Sequence, residues 1–299
     1  MSTRLTARPG LFRRALSRPA AKVAFGLLSA VVLGALLLPL VLSHAPHTPS
    51  PDTFHAPGRV HFFGTDLNGR DLLARTLQGA RISLLVGFAG AFVSLIIGTG
   101  VGLVAGYAGG RTDTVLMRLV DVLYSIPRLI LIILASFVLD PLLQGWLAHF
   151  QNGIWVGYSK IAILILALGC IEWLTMARII RGQVLSLKTL PFVQAARALG
   201  QSHTQILLRH LLPNLSSIII VYLTLTIPAV MLDESFLSFL GLGVQPPQAS
   251  WGSLLSDGAQ TLNPVRIHWW LLIFPALAMS TTLLALNFLG DALRDALAE

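Results

Sequence analysis

The sequence predicts an all-α membrane protein of about six transmembrane helices. Three observations carry this. Of the 299 residues, 55% are hydrophobic and 11% are charged; a soluble chain of this length needs far more charge to cover its surface. Long apolar runs recur at intervals, and six spans of roughly 20 residues absorb about 120 positions, leaving room for substantial loops. Eleven of the 21 basic residues fall in two segments, 1–22 and 178–209, as basic residues do where they set membrane orientation.

The first apolar run, Val23 to Leu42, follows Arg4, Arg8, Arg13, Arg14, Arg18 and Lys22. It exceeds the about 7–15 apolar residues of a signal peptide and lacks a clear small-residue cleavage site, so it reads as an uncleaved first helix. The expected organisation is a cytoplasmic tail over 1–22, a first span over 23–43, and an extracytoplasmic linker with an amphipathic segment over 44–81. A transmembrane unit fills 82–299. The linker is rich in proline and histidine, and the amphipathic segment ends near Gln78.

The second span is read as Ile82 to Gly106. Gly90, Ser94, Gly98, Gly102 and Gly106 lie four apart within it, which places five small residues on one face, suited to close approach of a neighbouring helix. A third span is expected near Val115 to Leu139. Asp140 to Lys160 is then read as a second outer segment, and Ile161 to Ala177 as the fourth span. A long polar-and-apolar loop over 178–214 precedes a fifth span, Leu215 to Leu232, and a sixth, Trp269 to Leu289. With this topology fourteen basic residues lie inside and six outside, Arg128 falling within the third span. Both termini and the 178–214 loop are therefore expected on the cytoplasmic side.

The net charge of +8 does not point to nucleic acid, because no basic stripe with interleaved aromatics occurs. The single cysteine, Cys170, lies in an apolar run and reads as a small buried residue. Neither a zinc-protease helix nor a nucleophile elbow is present. A phosphate-binding loop needs Gly-Lys-Ser/Thr, and none of Lys22, Lys160 and Lys188 follows a glycine. No cofactor is therefore expected on this chain. Asp66-Leu-Asn-Gly-Arg-Asp71 has arginine at the fifth position of a would-be calcium loop, and reads instead as a turn leading into a helix.

Within the 178–214 loop, Pro191 suits the first turn of a helix and Gly200 the position just past its end. Phe192, Ala195, Ala196 and Leu199 are expected to share a face. Ser202 and Gln205 have capping-box spacing, which starts a second short helix before Pro213. On the third span, Asp121 and Arg128 are seven apart, hence on one face about 10 Å apart along the axis. Two roles stand open for them: lining a wet translocation path, or pairing structurally, with Asp121 capping a helix end and Arg128 meeting a neighbouring helix. Glu172 is expected near Arg178.

Gln194-Ala195-Ala196-Arg197, Gly200, and His210 followed by Leu212-Pro213 resemble the E-A-A…G…L-P loop of bacterial ABC importer permeases, with Gln194 for the family's glutamate and His210 for its aliphatic residue. Gly64 to Asp71, Met176 to Gln183, Asp233 to Gly243, Ser250-Trp-Gly252 and Gly290 to Asp295 resemble the oligopeptide/dipeptide permease C subunit. The resemblance implies the type I ABC importer permease fold, in which the loop docks a coupling helix on an ATPase. It also implies a homologous permease, two ATPase subunits carrying ATP and Mg, an extracytoplasmic binding protein and a multi-pass place in the bacterial inner membrane. The implied cargo is peptide, with nickel or another solute as the alternative. A secondary transporter driven by an ion gradient would leave the loop unexplained, and no half-to-half repeat supports one.

Overall fold

The computed structural model describes residues 14–41, 45–147, 154–262 and 266–298. Arg4, Arg8 and Arg13 of the expected basic tail, the last two residues of the first expected span, and 148–153 of the second outer segment lie outside the described residues. Among the described residues there is no strand; Thr65 and Asp71 form an isolated bridge. Helix α1 spans Pro19–Val41, α2 Leu72–Ala108, α3 Gly110–Ser125, α4 Arg128–Leu147 and α5 Ile154–Leu187. They are followed by α6 Pro191–Ala198, α7 Leu212–Phe239, α8 Trp251–Gln260 and α9 Trp270–Ala298. Five helices are long and apolar enough to cross a membrane, and α3 with α4 form a sixth, broken span bent by 102°.

Three spans differ in course from expectation; in addition, α7 and α9 run on to Phe239 and Ala298, past the expected ends at Leu232 and Leu289, and the described parts of the second outer segment continue α4 and α5. The amphipathic segment and the second span are one 37-residue helix, α2. It begins where the Asp71 carboxylate accepts the Ala74 N–H at 2.9 Å, and no breaker follows. At about 1.5 Å per residue it is roughly 55 Å long, well beyond a bilayer's ~30 Å hydrocarbon core. The third span is not straight: Ile126 is extended (φ −91°, ψ 135°), as the residue before a proline tends to be, and α4 restarts after Pro127. Asp121 and Arg128 therefore do not share a helical face. Helix α5 runs past Ala177 to Leu187, so Arg178 and Arg181 sit on a helix rather than in a loop. They pair with α3: Arg181 holds Asp113 through two bonds of 2.5 and 2.7 Å, and Arg178 holds Asp121 at 2.7 Å while lying over the Tyr124 ring. In the second outer segment, Lys160 of α5 pairs with Asp140 of α4 at 2.7 Å.

The stripe of small residues works as its spacing predicts. A Cβ on Gly98 would lie 2.5 Å from Met176 Cβ, and one on Gly102 would lie 2.7 Å from the Ala177 carbonyl oxygen. Gly106 meets Val184, Gly90 meets Ile165 and Leu168, and Ser94 is buried. The partner positions climb α5 in step with α2, so the two helices run parallel in backbone contact. Helix α7 runs the opposite way, with Met231 against Gly87 and Val230 against Gly90. Cys170 is half-buried on α5.

The first end of the bundle, where α2 starts, is closed by a polar framework. Asp66 accepts from the backbone N–H groups of Asn68 and Arg70 and from the Arg70 and Arg75 guanidinium groups, so the Gly64–Asp71 motif is a turn, as read. Trp251 at the start of α8 is fully buried, its indole N–H donating to the Thr76 carbonyl at 3.1 Å. Glu234 of α7 is also fully buried and is met by hydroxyls: Ser83 at 3.0 Å and Ser238 at 2.7 Å. Those two oxygens accept in turn from the N–H groups of Trp251 and Val244. Gly252 fits because a Cβ there would lie 2.3 Å from the Ser235 carbonyl oxygen.

Candidate functional site

At the opposite end of the bundle the chain between α5 and α7 folds into a compact polar unit. Leu190 is extended ahead of Pro191, which opens α6. The helix stops at Gly200, whose φ of +75° lies in the left-handed region where a β-carbon is strained; its amide donates to the Arg197 carbonyl. Ser202 then caps a short turn, His203–Gln205. The Ser202 hydroxyl accepts the Gln205 N–H at 3.3 Å, and the Gln205 side chain accepts the Ser202 N–H at 3.1 Å. The turn widens into a π-helical segment, Ile206–Leu211, that passes directly into α7. A wider turn ahead of Pro213 gives its ring room against the preceding carbonyls.

The inner face of this unit is Val193, Ala196, Ile206 and Leu211, all buried against Leu103 of α2, Ile180 and Val184 of α5 and Leu215 of α7. This corrects the expected grouping: Ala196 points inward with Val193, three positions before it, while Phe192, Ala195 and Leu199 face outward, Leu199 at 80% exposure. Gln194 and Arg197 are exposed too. Polar ties fasten the unit to its neighbours. The Lys188 ammonium donates to the Gly106 carbonyl at 2.7 Å, Gln194 donates to the Lys188 carbonyl at 3.2 Å, and the Arg197 guanidinium lies 5.0 Å from the Tyr107 ring centre. His210 donates to the Gln201 side chain at 2.7 Å, bracing the residue that follows Gly200. Leu212 and Pro213 open α7.

Ala15 just ahead of α1, Ala21 at the N-terminal end of α1, and Leu293 and Ala296 at the C-terminal end of α9 pack together beside Val221 of α7. Arg18 pairs with Asp295.

A second cluster lies at the α3–α4 break. Arg128 donates to Glu172 of α5 at 2.8 Å and to Asp233 of α7 at 2.7 Å. Glu172 is thus paired with Arg128 and not with Arg178. Both carboxylates are buried, and half of the Arg128 side chain is exposed. Asp121 is mostly exposed and belongs to the separate α3–α5 pairing. Sequence reasoning missed Asp233 as an ionic partner, since it lies 105 positions from Arg128.

Five spans and a broken sixth, with a compact polar unit at one end between the fourth and fifth, are the arrangement expected of a permease subunit of a binding-protein-dependent importer. The chain belongs to the family of binding-protein-dependent transport system inner membrane components, whose model matches residues 98–299. It is 49% identical over 237 residues to the oligopeptide transport system permease protein OppC of Haemophilus influenzae, an alignment covering 79% of this chain and 70% of that protein. Identity to the dipeptide transport system permease protein DppC of Bacillus subtilis is 45% over 241 residues, covering 81% and 69%. An inward-facing structure of the MetNI methionine ABC transporter superposes with a TM-score of 0.54 at 20% identity, over 75% of this chain and 95% of that one. That likeness shows the shared fold.

Proposed function

We propose that this chain is one of two homologous permease subunits of an ATP-driven importer of oligopeptides or dipeptides. Two ATPase subunits carry ATP and Mg, and an extracytoplasmic binding protein delivers the cargo. The reading rests on one observation above others: the 191–211 unit is locked on its inner face to α2, α5 and α7, and presents Gln194, Ala195, Arg197, Leu199 and Gly200 outward. A unit so fastened moves as one piece with the ends of three spans, which is what a coupling element must do. Nucleotide-driven closure of the ATPase pair then shifts those spans, and the bundle alternates between two packed arrangements. The basic residues of the tail and of 178–214 orient this end, with both termini, to the cytoplasm. The peptide assignment follows the relatives, which are named as oligopeptide and dipeptide permeases.

The test is co-purification and transport. Expressed with candidate partner subunits, the chain should hold ATPase in stoichiometric amount, and proteoliposomes should take up a tripeptide only with ATP and the binding protein present. The chain purified alone should hydrolyse no ATP; hydrolysis by it would end the proposal. Orientation is checked in whole cells carrying Cys170→Ser: cysteines at Ser202 and Ala298 should resist impermeant thiol reagents, and one at Pro57 should react.

A further inference from the structure

We propose that the Arg128–Glu172–Asp233 cluster is a subsite for the free ammonium end of a peptide in transit; this rests on the peptide reading above. Two carboxylates face one guanidinium, and among the described residues no second cation pairs with either. With both carboxyls ionised, the cluster is one cation short inside the membrane-spanning bundle. Asp233 adds an orphan acceptor: the residue is 4% exposed and its Oδ2 has no hydrogen-bond donor. A buried acceptor of this kind is stabilised by a donor, and two carboxyls on one guanidinium leave a place for a second cation. A primary ammonium supplies both.

The Arg128 side of the cluster is open. Arg128 and Asp233 line one open cavity of about 510 Å³, together with Pro127, Leu232 and Phe236. A half-exposed intramembrane arginine faces water or a partner subunit rather than lipid. Arg128 has two partners, so it yields Asp233 to an incoming ammonium while Glu172 holds it in place. Two of its N–H groups are engaged by the carboxylates; a guanidinium has five, and a free one meets the first carbonyl oxygen of the cargo. The pair thus recognises the ammonium–Cα–carbonyl unit with which every unblocked peptide begins, whatever its side chains.

The purified permease–ATPase complex, without its binding protein, is exposed to tri-alanine carrying a photoreactive diazirine at the second residue, in free and N-acetylated forms. The free form should label residues 127–129 or 232–236 about tenfold more than the acetylated form, the loss expected of a charge-assisted bond. Asp233→Asn, which keeps the shape and the Arg128 bond, should lower free-peptide labelling to the acetylated level with ATPase still bound. Equal labelling by the two peptides in the unsubstituted complex, or labelling confined to other segments, overturns the subsite, and this comparison needs no variant to fold. Uptake of tri-alanine is measured in parallel with the binding protein restored. Uptake without terminus-dependent labelling overturns the subsite alone, whereas absence of any peptide uptake overturns the cargo reading with it.

Discussion

The hydroxyl of Tyr107, near the end of α2, and Nδ1 of His203, just past the Ser202 cap, are hydrogen-bonded at 2.9 Å, tying the second half of the 191–211 unit to the span that carries the small-residue stripe. The bond is exposed, so its loss should change stability by no more than about 1 kcal/mol. Tyr107→Phe should leave abundance and ATPase binding intact and lower the peptide moved per ATP hydrolysed. Flux and phosphate release measured in the same proteoliposomes check this; an unchanged ratio removes Tyr107 from the coupling route.

Gly200 offers a test of backbone conformation alone. Nothing lies within 4 Å of a Cβ placed there, so Gly200→Val acts chiefly through its φ of +75°, at about 1–2 kcal/mol. Uptake should be lost at normal abundance. Gly200→Asn, which tolerates that region, should retain most of it.

Ala196 and Leu199 separate folding of the unit from docking. Ala196→Asp buries an unpaired charge beside Ile206 and Leu211, which costs several kcal/mol, on the order of 3 or more, and should make 191–211 sensitive to protease. Leu199→Asp changes an exposed side chain and should leave protease resistance unchanged while ATPase co-purification falls. Gln194→Glu, also exposed, should be tolerated. If Leu199→Asp retains full ATPase binding and uptake, the outward face is not where the ATPase sits.

Gly98 and Gly100 lie two positions apart on α2 and should respond in opposite ways. Gly98→Leu forces side-chain atoms into Met176 and the Trp173 carbonyl, beyond the about 1–3 kcal/mol of ordinary overpacking. Nothing lies within 4 Å of a Cβ on Gly100, so Gly100→Ala should be neutral or slightly stabilising. Thermal melting of the purified complex in detergent distinguishes them.

Legibility in the sequence followed the range of the interaction. The four-residue spacing of the small residues, the left-handed turn at Gly200 and the Ser202–Gln205 cap are local patterns, and all three occur as their spacing implies. The break in the third span was also local, written in Ser125-Ile126-Pro127, but its apolar flanks hid it. The extension of α5 to Leu187 was missed because hydropathy falls at Arg178 while helical periodicity continues, and arginines paired with an adjacent helix stay helical. Asp233 as partner of Arg128, and Ala196 as an inward residue, depend on which helices meet, and no short window holds that information.

The parallel course of α2 and α5 also fixes a birth order. Gly98 and Met176 touch across seventy-eight positions, and the broken α3–α4 span must cross back before α5 exists. At roughly 5–20 residues per second, the grooved face of α2 waits on the order of 4–16 s during synthesis for the helix that fills it. A nascent chain halted in that interval has the glycine face of α2 without the α5 side chains that fill it.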